Sequence, residues 1–314
     1  MTTGSSSTGD GSAAGYVLAI DFGATKVALA TADSEGRILD QLRLDTRAVD
    51  GAPEVVRRAV AAGRDLADRT AGATGGTLDA VGVASFGVTL ADRVLLAPNV
   101  PGWHELALPA LLRDGLAEPA GLDEGAVRIA NDVKAATAAE LRWGELAGVG
   151  NGIYVNLGTG LACGLVVGGA VLEGAHGAAG EIGYNVRSFG EPALARGHAP
   201  LEEYVSGRAL ADRGGELLGR PVTAAELFAR RDEEAVRPFL RDALEQLAVH
   251  VTNLAVALDP ERVVVGGGMM HAADVILPVL RTQLADAVPF AVDLRQARYS
   301  HDAALRGAVA LALA

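Results

Sequence analysis

The sequence predicts an α/β protein made of two related halves that face each other across a cleft. Two observations carry this expectation. A strand, a Gly/Thr turn, a second strand, a tight turn and a third strand occur twice, about 135 residues apart. The remainder of the chain alternates short apolar runs with segments of helical periodicity, the pattern of α/β architecture.

The first copy begins with the apolar run 16–20, which ends in Asp21. Phe22, Gly23, Ala24, Thr25 and Lys26 follow, then an alternating strand through Thr31, a turn at 33–36 and a third strand from Arg37. The second copy lies within 150–184. Its strands are expected at 153–157, 161–167 and 170–173, joined by Gly158, Thr159 and Gly160 and then by Gly168 and Gly169. Short Gly turns between apolar runs are hairpin signals. Glycines at 158 and 160 let backbone N–H groups approach an anion, and Thr159 adds a hydroxyl donor.

Between the copies, 54–70 has the spacing of a helix, with Pro53 at its start. A buried strand at 79–85 runs into Phe86, Gly87 and Val88, where a tight loop can expose backbone donors. A short strand at 93–97 precedes the rigid Pro/Gly turn 98–103, which carries Asn99. A helix at 108–115 follows. A strand at 127–130 delivers Asn131 and Asp132 to a helix at 133–145. Beyond the second copy, 177–183 reads as a loop and 184–200 as irregular. Helices are expected at 201–218, 223–232, 238–258, 273–285 and 303–314, and strands at 262–265 and 292–297. The domain expectation is a tail at 1–15, a small N-terminal domain of 16–126 plus 303–314, and a large domain of 127–302.

Composition narrows the function. The net charge of −12 argues against a nucleic-acid or anionic-membrane partner. One cysteine, Cys163, excludes an internal disulfide framework and a cysteine-built zinc site, and fits a reduced, cytoplasmic setting. No unbroken apolar run is long enough to span a membrane. The six histidines show no ligand spacing. Lysine occurs only at 26 and 134, each inside a candidate site segment.

Asp132 is the candidate general base. It stands where a strand ends and a helix begins, so the helix N-terminus is expected to keep its carboxylate ionised. Taken alone, an Asp in that place is more often a plain helix cap. Asp21 closes a buried strand beside the first turn and is a candidate for holding Mg²⁺, largely through water. Gly23, Thr25 and Lys26 are placed to meet phosphate oxygens, and Gly266, Gly267 and Gly268 to let a base or ribose lie against backbone. Gly87, Asn99, Asn131, Glu181 and Glu202, with Asp132 itself, are the candidates for contacts to a polyhydroxyl ligand.

Six segments together resemble the ROK family of sugar kinases and related repressors. They are DFGATK (21–26), PNVPGW (98–103), NDVKAATAAE (131–140), the long stretch 156–183, LEEYVSG (201–207) and LDPERVVVGGG (258–268). The resemblance covers nearly the whole chain from Tyr16. It implies the actin/hexokinase-like ATPase fold, two ribonuclease-H-like domains around a cleft. It implies ATP and Mg²⁺ as cosubstrate and cofactor, Asp132 as base, and a homodimer. It further implies that Asp21 to Lys26 and Gly158 to Gly160 bind phosphates, that the Gly266–Gly268 loop lies near adenosine, and that Asn99, Asn131, Glu181 and Glu202 contact sugar.

Two departures stand out. The family commonly has a Cys-x-Cys-Gly-x-x-Gly-Cys zinc motif after a Gly-Glu-Ile-Gly-His segment. Residues 184–200 contain no cysteine here, and the histidine position is Tyr184. The expectation is therefore no structural zinc and a reshaped sugar edge, since tyrosine reaches further and offers one hydroxyl. The substrate class stays open among glucose, another hexose, an amino-sugar and a C7-cyclitol of an antibiotic pathway, and polyphosphate stays open as donor. A repressor would need an N-terminal DNA-binding domain, for which about 15 residues before the first strand are too few. A catalytically dead sugar-binding module is the third reading.

Overall fold

The computed structural model describes residues 15–97 and 100–314. The expected tail, Gly15 apart, and Asn99 lie outside the described residues.

Strands β1 (Tyr16–Phe22), β2 (Lys26–Asp33) and β3 (Ile38–Asp45) form an antiparallel meander. Helix α1 (Ala52–Thr74) crosses over, and β4 (Leu78–Ser85) pairs with β1 in parallel. A small hairpin, β5 (Val88–Thr89) and β6 (Val94–Leu95), and short helices α2 (Leu108–Leu112) and α3 (Glu118–Ala120) lead to β7 (Val127–Asn131), parallel to β4. Helix α4 (Asp132–Trp143) carries the chain to a second meander, β8 (Gly152–Leu157), β9 (Leu161–Val167) and β10 (Ala170–Val171). Helices α5 (Glu202–Val205), α6 (Gly207–Leu218), α7 (Ala224–Ala229) and α8 (Val236–Leu258) follow. Strand β11 (Arg262–Gly266) pairs with β8, and after α9 (Ala273–Ala287), β12 (Asp293–Gln296) pairs with β11. Helix α10 (Ala303–Ala312) then returns to the first sheet.

The two large sheets have the same plan. Their orders are β3-β2-β1-β4-β7 and β10-β9-β8-β11-β12. In each, a meander supplies three antiparallel strands and two parallel strands extend the other side.

Strand β1 shows why its sequence is a near-continuous apolar run. Leu18, Ile20 and Phe22 pack with Val55, Val56 and Leu66 of α1 on one face. Val17 and Ala19 pack with Ala308, Val309 and Ala312 of α10 on the other. A strand covered on both faces cannot alternate with polar residues. Helix α10 approaches to backbone contact. A Cβ on Gly82 would lie 1.8 Å from the Ala308 carbonyl oxygen, and one on Gly307 would lie 2.0 Å from that of Ala135. Only glycine permits both approaches.

Three expectations change. The helix expected over 201–218 breaks at Ser206, whose hydroxyl accepts from Ala209 N–H at 3.2 Å and caps α6. The strand expected at 170–173 ends at Val171. Strand β7, assigned from sequence to the large half, pairs with β4 through Ser85 and Asn131 and completes the first sheet. Among the described residues, no helix is long and apolar enough to cross a membrane.

Candidate active site

The ends of β1 and β8 face a common cavity of about 200 Å³. Asp21 comes from the end of β1, Asp132 from the first turn of α4, and Asn156 from the end of β8. Gly267 and Gly268 after β11, and Tyr299, Ser300 and His301 before α10, form the remaining wall.

The helix cap at this site is Asn131. Its Oδ1 accepts from Lys134 N–H at 2.7 Å, and its Nδ2 donates to Glu181 Oε1 at 3.0 Å. Asp132 is relieved of capping. Its Oδ1 accepts from the adjacent Val133 N–H at 2.9 Å, and the side chain keeps an accessible face toward the cleft. Protein crowds its other sides, and this desolvation raises its pKa, with Glu202 adding to the rise and the backbone donors opposing it. The expected effect of the helix terminus is thus present but outweighed. Burial, together with the negative charge of Asp132, pushes Asp21 up to about 7.

The charge of Glu202 acts on Asp132, that of Asp132 acts on Glu181, and Tyr184 lies within reach of both glutamates. Burial raises Glu181, and Asp132 and Glu202 reinforce this against Lys134 and Asn131. Tyr184 is raised by burial and by the charges of Glu181 and Glu202. Glu202 Oε2 accepts from Leu161 N–H at 2.8 Å, so the same carboxylate braces the second turn.

The turns are less open to an anion than their glycines promise. Gly23 N–H donates to Lys26 O at 2.9 Å, and Gly158 N–H donates to Gly160 O at 3.1 Å. The side chains of Thr25, Lys26 and Thr159 are exposed. The three glycines after β11 also divide. A Cβ on Gly266 would strike the Tyr154 hydroxyl at 2.3 Å, and one on Gly267 the Leu157 carbonyl oxygen at 2.5 Å. Gly268 alone borders open space. Gly87 sits with positive φ in the loop between β4 and β5, its outer face filled by Leu95 and Ala97.

Lys134 does not reach the cleft. It is buried, and its Nζ donates to Glu173 Oε2 and O, each at 2.9 Å, and to Gly177 O at 2.7 Å. It ties α4 to the loop that leads to Glu181. Asn156, Tyr154 and 299–301 escaped the sequence reading. Asn156 carried a signal, because it holds in the second copy the place that Asp21 holds in the first. The 299–301 segment carried none.

Zinc, which the family motif implies, does not fit. The only histidine of 184–200, His198, pairs with Glu203 at 3.0 Å. The segment is tied instead by the Arg187–Glu191 ion pair, and the guanidinium groups of Arg187 and Arg213 lie 3.8 and 3.7 Å from the Tyr204 ring centre. Magnesium fits better. A cleft-facing carboxylate such as Asp21 is the donor set of an ion that keeps most of its water and takes phosphate oxygens. Among the described residues, no cluster of three or more His, Cys, Asp or Glu side chains is arranged for a metal.

Two copies of one sheet around a cleft, with carboxylates at a strand end and a helix start, make this an actin/hexokinase-like ATPase fold. The ROK family profile matches residues 17–314, and the chain belongs to the ROK family. It is 33% identical over 299 residues to the N-acetylmannosamine kinase of Escherichia coli O157:H7, covering 94% of this chain and 97% of that protein. The ROK hexokinase of Thermus thermophilus superposes with a TM-score of 0.79 at 28% identity, covering 94% of this chain and 97% of that one. A ROK glucokinase of Streptomyces griseus, in complex with glucose and AMPPNP, does so at 0.72 and 26%, covering 94% and 98%.

Proposed function

We propose that the chain, a sugar kinase of the ROK family, transfers the γ-phosphoryl of ATP to the primary, 6-type hydroxyl of a hexose-like substrate, with Asp132 as general base. The observation that carries this is the release of Asp132 from capping. Asn131 caps the helix, so Asp132 holds Val133 N–H with one oxygen and keeps an accessible face toward the cleft. A carboxylate with raised pKa is a stronger base for a hydroxyl proton.

The Asn131–Glu181 pair, Glu202 and Tyr184 bind and orient the ring hydroxyls. Asn99 belongs to the same proposal. Thr25, Lys26, Thr159 and Gly160 bind phosphate oxygens, and Gly268 admits the nucleotide. Asp21 holds Mg²⁺, which offsets charge on the β- and γ-phosphates when bound. Closure of the two sheets on each other excludes water.

A second reading keeps the reaction and changes the acceptor to an amino-sugar or C7-cyclitol. Tyr184 beside Glu181 and Glu202 favours the amino-sugar, since an ammonium group would offset their charge. The relative named as an N-acetylmannosamine kinase favours a 2-acylamino hexose instead. A panel of glucose, mannose, N-acetylmannosamine, 3-amino-3-deoxyglucose and a cyclitol, each with Mg-ATP and with polyphosphate, separates these. One acceptor is expected to dominate in kcat/KM. ATP hydrolysis with no acceptor phosphorylated would end the kinase reading. Asp132→Asn is expected to lower kcat by roughly two to four orders of magnitude with the fold intact by circular dichroism. Near-normal turnover would remove Asp132 as the base. The homodimer belongs to this proposal and is read by light scattering.

A further inference from the structure

Glu140 closes the segment NDVKAATAAE, and the reaction above makes no use of it. It lies two turns beyond Asp132 on α4 and is completely buried. Among the described residues it makes no ion pair. A buried carboxylate without a cation is costly unless several donors reach it. Here the donors are backbone amides. Glu145 N–H donates to Oε2 at 2.7 Å and Tyr299 N–H to Oε1 at 2.9 Å. Burial raises the carboxyl, and the amides of Glu145, Tyr299 and Arg298 oppose the rise.

These donors sit in two different places along the chain. The polypeptide crosses from the first sheet to the second through α4 and returns through 297–302 into α10. Glu140 joins the two crossings. The Arg298 guanidinium adds a second tie, donating to Trp143 O at 2.7 Å. The residues held by these ties, Tyr299, Ser300 and His301, form one wall of the cavity that contains Asp21, Asp132 and Gly268.

We propose that Glu140 is a positioning residue, a carboxylate clamp that fixes 298–301 as the wall of the nucleotide end of the cleft and so acts on ATP binding through those residues. This rests on the kinase reading only for the identity of the ligand. Glutamine keeps the shape but exchanges one acceptor oxygen for an NH₂ donor, so Glu140→Gln loses one of the two amide contacts.

Hydrogen exchange and steady-state kinetics on the full chain test this. In Glu140→Gln, exchange over 298–301 is expected to rise about tenfold or more while α8 is unchanged. KM for Mg-ATP is expected to rise about tenfold, with KM for the sugar within about twofold and kcat within about threefold. A purely structural defect would lower kcat and spread the exchange over the whole chain. Unchanged exchange at 298–301 overturns the clamp. Faster exchange with unchanged KM for Mg-ATP overturns the nucleotide wall. Should Glu140→Gln not fold, Arg298→Ala loosens the same segment from its other tie and is expected to give the same KM split in smaller measure; no split overturns the proposal. Calorimetry with Mg-AMPPNP on the unaltered chain keeps the readings apart. Failure to bind there removes the kinase reading, whereas the clamp stands or falls on exchange.

Discussion

The two sheets repeat one plan but are not equivalent where they meet. The sixth residue of β1 is Asp21, and the corresponding place near the end of β8 holds Asn156; both line the cavity. One half therefore brings a charge to the cleft and the other a neutral amide. The turns differ as well. In the first half, the turn between β1 and β2 is closed by Gly23 N–H on Lys26 O and held from outside by Thr46, whose hydroxyl donates to Gly23 O at 2.6 Å. In the second half the turn is enclosed. Gly207 N–H donates to Gly158 O at 2.8 Å, Arg208 N–H to Thr159 O at 3.3 Å, and Glu202 takes Leu161 N–H. Duplication supplied two copies of a scaffold. A carboxylate in place of Asn156 would raise the pKa values of Asp21 and Asp132 further.

Making the halves alike tests this most directly. Asp21→Asn is expected to stabilise the nucleotide-free protein at pH 8 by up to about 4 kcal/mol, one pKa unit being about 1.36 kcal/mol. The sign follows from the raised pKa. Below about pH 4 the side chain is protonated in both folded and unfolded chains and costs nothing. Between about 4 and about 7 only the unfolded chain ionises, so the native state loses stability as pH rises. Thermal unfolding of the two proteins should therefore coincide near pH 4 and diverge toward pH 8, with activity lost in the variant at both. Parallel curves would mean that Asp21 bears no such strain.

The enclosed turn is tested next. A Cβ at Gly160 would lie 2.7 Å from Glu202 Oε2. Gly160→Ala should push the Glu202 carboxylate aside, costing about 1 kcal/mol through its lost bond to Leu161 N–H, and weaken sugar binding through displaced Glu202. A KM for sugar equal to that of the unaltered protein would show that the turn tolerates movement. The smallest effect belongs to the turn of the first half. Thr46→Val removes its bond to Gly23 O and should cost about 1 kcal/mol, seen as a shift of the urea midpoint with unchanged slope.

The duplicated meander was legible because strand, glycine turn and strand leave a local signature, and the placement of Asp21 and Asp132 at the cavity was legible because each stands at or next to the end of an element. What failed needed contacts distant along the chain. Lys134 looked like a site residue from its rarity, yet its partners are Glu173 and Gly177. The triple glycine looked like a single nucleotide platform, yet Gly266 makes room for the Tyr154 hydroxyl. Ser206 reads as an ordinary helical position until Gly158 is known to accept from its neighbour Gly207. Residues 299–301 reach the cleft only because α10 docks where it does.

That docking also sets an order of assembly. Arg128 in β7 donates to the carbonyl oxygens of Leu311 and Ala312, more than 180 positions further along the chain. The apolar face of β1 that carries Val17 and Ala19 has no cover until α10 has been made. During synthesis the second sheet has all its strands before that helix exists. The half that leaves the ribosome first is thus completed last. Until then it keeps an apolar surface that a chaperone can hold and that a neighbouring nascent chain can bind instead.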